Sequence, residues 1–340
     1  MENLTKSGEY SELLTVSPSP HIKHPDTTRS IMICVLVALL PATVWSIITF
    51  GFRSLTLSVV SVLACVLFEF LYQLLLKKPI TVLDFSAAVT GLLVALNLPS
   101  TAPLWMPVVA AFFAIIIVKQ LFGGIGKNIV NPALAARVFL FSWTGHMSDF
   151  NSPGTTPDPF KIMLSADEVD VIASATPLAS LKEGIIPDVS VADMFVGFKA
   201  GCLGEVSAML LIAGGIFLLL KKVITWHIPV TFMATVYLVS LIFPAGGANP
   251  FDFAIYQLLS GGVMIGAIFM ATDYATSPVT NTGRIVFGIG CGLLTVFIRR
   301  FGGYPDGVSF AILIMNLLVW YIDKFTKPVK FGGVDSGKKQ

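Results

Sequence analysis

The chain has 340 residues, of which 55% are hydrophobic and 12% charged, and its formal net charge is +2. Soluble domains carry roughly 25% charged residues, and a mean hydropathy of +0.82 is more apolar surface than a soluble core of this length hides. The composition therefore points to a polytopic membrane protein surrounded by lipid, and the near-neutral charge excludes nucleic acid as a partner.

Residues 1–29 are polar and lack the short apolar run and cleavage site of a signal peptide, so insertion is expected to begin with the first apolar run after Arg29. Charge-poor apolar runs follow at 31–50, 54–76, 84–98, 102–118, 129–143, 203–220, 223–243, 253–272, 285–298 and 307–322. About ten spans are thus predicted in an all-α protein. Several runs fall short of the ~20 residues a full crossing needs, and these are rich in Gly, Pro or Asn. Such broken helices are tolerated only where their backbone is buried in protein or lines a cavity. The four cysteines, Cys34, Cys65, Cys202 and Cys291, lie in or beside apolar runs without metal-ligand spacing and read as small buried hydrophobes.

With the N-terminus in the cytoplasm, 15 of the 22 Lys and Arg residues fall on the cytoplasmic side and 6 outside, while Arg137 lies within a span. By the positive-inside rule both termini are expected to be cytoplasmic. The polar segment 145–202 then faces outward, with eight acids against three lysines. The predicted organisation is a cytoplasmic segment 1–29, a first five-span unit 30–144, an external loop 145–202, a second five-span unit 203–323 and a basic cytoplasmic tail 324–340. The two units echo each other. FGGIGKNIVNPALAARV (122–138) pairs with FGGYPDGVSFAILIMNL (301–317), TGLLVALNLP (90–99) with IGAIFMATDY (265–274), and DF at 84–85 with DF at 252–253. Five spans per unit would insert the second copy upside down, which is the pattern of inverted-repeat transporter folds.

Charged groups at membrane depth are functional candidates by default, and here they are Glu69, Asp84, Arg137, Glu205, Asp252, Asp273 and Asp306. Glu69 is expected near the inner face, and Glu205 at a helix start where the helix dipole favours an acid. Asn128, Asn131 and Arg137 gather where a short helix follows Gly123, Gly124 and Gly126. Amides and a guanidinium there suit a polar heterocycle or an anion, or they serve as glue between half-helices. Asp273 ends an apolar helix in FMATDYATSP, a hydroxyl-rich run. In DVIASATPLAS (170–180), small residues leave Thr176 open to a modifying enzyme, with Asp170 six residues upstream as a recognition group; the alternative is an ordinary polar loop.

At this point the motifs resemble a family. DVIASATPLASL is similar to the flavinylation motif of the NqrB/RnfD family, which comprises the B subunit of the sodium-pumping NADH:quinone reductase and the D subunit of the Rnf complex. SPSPHIKHPDTTRSIMICVLVALLPA, FGGIGKNIVNPALAARVFLFSW, LGEVSAMLLIAGGIFLLLKKVITWHIPV and GGVMIGAIFMATDYATSPVTNTGRIVFGIGCG extend the likeness over nearly the whole chain. The short N-terminus and the TPL after the small residues resemble the Rnf branch, whereas Ala173 stands where the family carries Ser or Thr. The resemblance implies a urea/ammonium-transporter-like fold. It also implies FMN joined to Thr176 by a phosphoester, with Asp170 and Ser174 part of the attachment motif. A noncovalent riboflavin would take a deeper pocket of Asn128, Asn131, Arg137, Thr272 and Asp273, and a cation route would be lined by Glu69, Asp273 and Asp306. The implied role is electron transfer within a ferredoxin:NAD+ oxidoreductase of a bacterial or archaeal cytoplasmic membrane, coupled to Na+ or H+ movement. The chain would be inactive alone, would assemble with the A, B, C, E and G subunits of the Rnf complex, and would be matured by a flavin transferase. A B-type subunit of the quinone reductase and a plain inverted-repeat solute transporter or channel are the alternatives.

Overall fold

The computed structural model describes residues 27–150, 176–205, 207–246, 249–304 and 306–327. Asp170 and Ser174, and with them most of the loop expected at 145–202, lie outside the described residues. Among the described residues the fold is all-helical, and extended pairing is limited to an isolated antiparallel bridge between Pro99 and Cys202.

The first helix, α1 (Thr28–Phe50), starts at Thr27, whose hydroxyl accepts a hydrogen bond from the Ser30 amide at 3.2 Å. It ends at Gly51, which is also the cap of α2 (Phe52–Leu75). One residue turns the chain between two long helices, and its φ of 80° is a backbone state that favours glycine. Apart from Leu57, the buried face of α2 is small or polar, with Arg53, Ser54, Ser58, Ser61, Ala64, Cys65, Glu69 and Gln73. Its exposed face carries Val59, Leu63, Leu67, Phe70 and Leu74. Large apolar side chains outside and small or polar ones inside is the arrangement expected of a helix whose outer solvent is lipid.

After α2 come the half-helix α3 (Ser86–Leu96), α4 (Trp105–Phe112) with its π-helical continuation Phe113–Gln120, and α5 (Pro132–Leu140). Short helices α6 (Thr144–Ser148), α7 (Pro177–Lys182) and α8 (Val191–Val196) precede the second set. That set is α9 (Ala208–Leu220), α10 (His227–Ile242), α11 (Pro250–Leu259), α12 (Val263–Ile265) with a π-helical continuation Gly266–Met270, α13 (Asn281–Phe301) and α14 (Val308–Thr326). Helix α2 packs on α3 and α4, as α10 packs on α11 and α13; α1 meets α9, and α5 meets α14.

Four described helices, Thr28–Phe50, Phe52–Leu75, Asn281–Phe301 and Val308–Thr326, are long and apolar enough to cross a membrane. Pro250–Leu259 and Val263–Met270 form a fifth candidate bent by 64° at the Ser260–Gly261–Gly262 break. The apolar runs expected at 84–98, 102–118, 203–220 and 223–243 fold as helices shorter than a crossing: Ser86–Leu96, Trp105–Gln120, Ala208–Leu220 and His227–Ile242. The reason is local: Asn97 and Pro99 end the first, and Pro103 starts the turn into the second.

Helix α3 is buried along its whole length, and at Gly91 it touches the α2 backbone. A Cβ on Gly91 would lie 2.7 Å from Val62 Cα and 2.9 Å from the Ser61 carbonyl oxygen, while the Ser61 hydroxyl donates to the Gly91 carbonyl at 2.7 Å. A substitution to Ala must therefore move a backbone rather than a side chain. We predict that Gly91→Ala lowers the unfolding midpoint of the detergent-purified chain, by the roughly 1–3 kcal/mol typical of overpacking. An unchanged midpoint would show that α2 and α3 part at no cost.

Candidate functional site

Two buried polar clusters, each with its own cavity, lie at opposite ends of α5. The helix follows a glycine-rich turn where Gly123, Gly124 and Gly126 all have positive φ. Asn131 caps it, accepting from the amides of Ala133 (3.0 Å) and Leu134 (3.3 Å), and Pro132 occupies the first helical position, where its missing N–H costs nothing. The Asn131 side-chain amide donates to the Met270 carbonyl (3.1 Å), and its backbone amide donates to Asn316 Oδ1 (3.2 Å).

Around this end is a cavity, termed inner from the expected orientation of the chain, about 90 Å³ in volume, with Asn128, Asn131, Thr272 and Asp273 in its wall beside Ser86 and Lys119. Asp273 accepts from the Thr276 hydroxyl at 3.2 Å and Thr272 donates to the Ile268 carbonyl at 2.6 Å. The Asn128 side-chain oxygen is buried without a hydrogen-bond partner. Lys119, at the end of the π-helical segment, joins this cavity to Glu69 on α2. Its ammonium lies 2.7 and 2.9 Å from the two carboxylate oxygens and 2.7 Å from the Ser86 hydroxyl. Gln120 donates to the same carboxylate at 2.8 Å. Glu69 and Lys119 are 1% and 2% exposed, so the acid expected at the inner face is an interior ion pair.

Arg137 is not part of the inner set. Six residues beyond Asn131, it lies roughly 9 Å further along the helix at about 1.5 Å per residue, and its side chain reaches the other cluster. The guanidinium donates to Asn97 Oδ1 (2.7 Å) and Glu205 (3.1 Å), and it pairs with Asp306 at 3.1 Å. Arg299 reaches Asp306 at 3.5 Å and donates to Gln257 and the Ser260 carbonyl. Glu205 precedes its helix, which Ser207 caps, and its partner is Arg137 rather than a helix end.

The other cavity, termed outer on the same expectation and about 240 Å³ in volume, is lined by Arg137, Glu205, Ser260 and Asp306 together with Thr176, Lys199, Phe141, Met147, Leu178 and Tyr304. Phe150 and Thr176, the described residues on either side of 151–175, both face it. Thr176 caps α7, its hydroxyl accepting from the Ala179 amide at 3.3 Å. Tyr304 and Phe141 stack at 5.0 Å, and Arg137 sits 5.9 Å over the Phe141 ring.

A septum of hydrogen-bonded side chains lies between the cavities. Asn97 accepts from Arg137 on the outer side and donates to the Met270 sulfur at 3.7 Å, and the Met270 carbonyl accepts from Asn131 on the inner side. The expected site residues thus fall into two groups: Asn128, Asn131, Thr272, Asp273 and, through Lys119, Glu69 within; Thr176, Arg137 and Asp306 without. Lys119 and Lys199 read in the sequence as loop charges, and the structure buries both. For Lys119 the clue is its place at the end of the unbroken apolar run FAIIIV.

The NQR2, RnfD, RnfE family model matches residues 15–332. This chain belongs to that family. Over 331 residues it is 47% identical to the D subunit of the Na+-translocating ferredoxin:NAD+ oxidoreductase complex of Acetobacterium woodii, covering 96% of this chain and 98% of the relative. Over 334 residues it is 39% identical to the D subunit of the proton-translocating ferredoxin:NAD+ oxidoreductase complex of Clostridium ljungdahlii, covering 94% and 96%. The D subunit of the ion-translocating oxidoreductase complex of Aliivibrio salmonicida is 36% identical over 345 residues, covering 93% and 98%.

Breaking a buried ion pair costs about 3–5 kcal/mol because one charge is stranded, whereas replacing both partners by apolar residues is close to neutral. For Glu69 and Lys119 this predicts a non-additive cycle. Glu69→Met and Lys119→Met each lower the thermal midpoint strongly, and the double variant recovers most of the loss. Additive losses in the double variant would show that the two groups are not coupled.

Proposed function

We propose that the chain is the D-type membrane subunit of an ion-translocating ferredoxin:NAD+ oxidoreductase, and that it carries FMN on Thr176. The observation that supports the flavin most is the outer cavity. Thr176 lines the same space as an aromatic wall of Phe141, Phe150 and Tyr304 and the cations Arg137 and Lys199. Apolar walls with a few convergent polar groups are what a cofactor site needs, and a flavin phosphate needs cations, so the residues present fit the group in chemistry; at about 240 Å³ the cavity is itself below the ~300 Å³ at which small-molecule pockets begin and must open to seat the whole flavin. When bound, FMN would supply electron transfer one electron at a time. The chain's own part is to hold the ring against Tyr304 and Phe141, to exclude water with Met147 and Leu178, and to offset negative charge with Arg137 and Lys199. Asp170 and Ser174 belong to the motif read by a flavin transferase. The partners in this reading are the A, B, C, E and G subunits of the Rnf complex, which handle ferredoxin and NAD+.

A noncovalent riboflavin at the inner cavity is the finer part of the reading. Asn128, Asn131, Thr272 and Asp273 offer the donors and acceptors that the edge of a flavin takes, and the unpartnered Asn128 oxygen suits a ring N–H. At about 90 Å³ the cavity is well below the ~300 Å³ at which small-molecule pockets begin, so seating a flavin there requires it to widen.

The fold in this reading is an inverted repeat, supported by the parallel packing of α2 on α3 and α10 on α11. The relatives carry different ions in their names, so the ion is a property of side chains rather than of the family. Asp273 faces the inner cavity without a cationic partner within ion-pair distance among the described residues, while Glu69 and Asp306 are paired. Asp273 is therefore the best placed of the three carboxylates to take a moving cation.

Co-expressed with a flavin transferase, the wild-type chain should give a fluorescent band under denaturing electrophoresis, and Thr176→Val should abolish it. A wild-type chain with no band would favour the transporter or channel alternative. In vesicles bearing the whole complex, Asp273→Asn should reduce ion uptake about tenfold, the effect of a ~1.4 kcal/mol loss, while ferredoxin-dependent NAD+ reduction becomes insensitive to the ion gradient. Unchanged uptake would remove Asp273 from the route.

A further inference from the structure

Among the described residues, the charges lining the outer cavity and paired behind it do not balance. Arg137 and Lys199 in its wall and Arg299 behind Asp306 stand against two carboxylates, Glu205 and Asp306, and all but Asp306 are less than one-tenth exposed. An uncompensated interior charge is costly, so the cluster calls for one more anion. The hydrogen bonds show which cation has the most donors to spare. The terminal nitrogens of Arg137 are committed to Asn97, Glu205 and Asp306 and those of Arg299 to Gln257, the Ser260 carbonyl and Asp306, which leaves the buried Nε–H of each unpartnered. Lys199 is 3% exposed and lies in the connection between α8 and α9. Among the described residues its ammonium donates to the Leu259 carbonyl, which leaves two of its three N–H donors without a protein acceptor. It lines the cavity that Thr176 lines.

A flavin phosphate esterified at both ends keeps one negative charge, which equals the missing anion. We propose that Lys199 is the counter-ion of the phosphate that joins flavin to Thr176. This rests on the flavin reading above. The protein without that phosphate fits the same account, because burial then pushes the Lys199 ammonium down to about 8, against the pull of Glu205 and with the repulsion of Arg299. With the phosphate in place the ammonium is held charged.

The test uses the full chain in membranes, co-expressed with flavin transferase. Covalent flavin is read by fluorescence under denaturing electrophoresis, and its midpoint potential by spectroelectrochemical titration. Reduction adds negative charge, so removing a nearby cation disfavours it. Lys199→Met should keep a fluorescent band and shift the midpoint to more negative potential, and Lys199→Arg should restore it toward the wild-type value. A midpoint unmoved in Lys199→Met overturns the proposal, as does a shift in Lys199→Arg as large as that in Lys199→Met. Should Lys199→Met fail to accumulate, Lys199→Gln, polar and uncharged, decides in its place by the same criterion. A wild-type chain without a band overturns the flavin reading and this inference with it, whereas a band with an unmoved potential overturns this inference alone.

Discussion

The ion network of Arg137, Glu205, Asp306 and Arg299 is the constraint on which the rest of the architecture depends. Arg137 belongs to a helix of the first half, Asp306 and Arg299 to the end of the second, and Glu205 to the connection between them. In an apolar surrounding none of these charges survives alone, since each stranded charge costs several kcal/mol. The halves therefore close against each other with these groups in contact. Lipid-facing helices lack a hydrophobic drive toward one another, so polar contacts and small residues carry the assembly. The network also fixes where α5 sits, and with it both cavities, because Asn131 and Arg137 lie at opposite ends of that helix.

The same logic explains the broken helices. A full crossing helix satisfies its own backbone and has no donors to spare. Where α11 breaks, the Ser260 carbonyl is taken up by Arg299 and the Leu259 carbonyl by Lys199. Where α3 ends, Arg53 donates to the carbonyls of Ser100 (2.8 Å) and Ala102 (2.8 Å). Buried cations thus occupy the breaks in both halves and satisfy the backbone carbonyls that the breaks free. The two π-helical segments, Phe113–Gln120 and Gly266–Met270, lie beside the inner cavity and the septum, where π-bulges commonly mark functional sites.

Composition made the membrane character legible, and charge-poor runs located the helices, because both depend on the chemistry of single segments. Broken helices were legible from Gly, Pro and Asn. What the sequence hid was pairing at a distance. Glu69 and Lys119 are 50 positions apart, and Arg137 and Glu205 68, so nothing local marks them as partners. Arg137 read as a neighbour of Asn131 because it is close in sequence, yet helical rise carries it to the other cavity. Lys199 read as a loop charge because the chain around it, VGFKAGC, has the composition of a loop; only the packing of Leu259 and Glu205 about it shows that it is interior.

Under the proposed function, the division into two cavities bears on how an electron carrier and an ion route would coexist in one chain. Continuous water between the two sides would dissipate the gradient that the electron flow builds. The septum of Asn97, Met270 and Asn131 fills that position with hydrogen bonds to the side chain of Arg137 on one side and the cap of α5 on the other. Arg137 is at once a wall of the outer cavity and the outer anchor of the septum. Negative charge added on the outer side pulls on Arg137, and Arg137 holds Asn97 at 2.7 Å. If the proposed flavin occupies the outer cavity, its redox-dependent charge and the barrier would be joined through one guanidinium, and electron transfer would bias ion passage without a direct contact between the flavin and the ion.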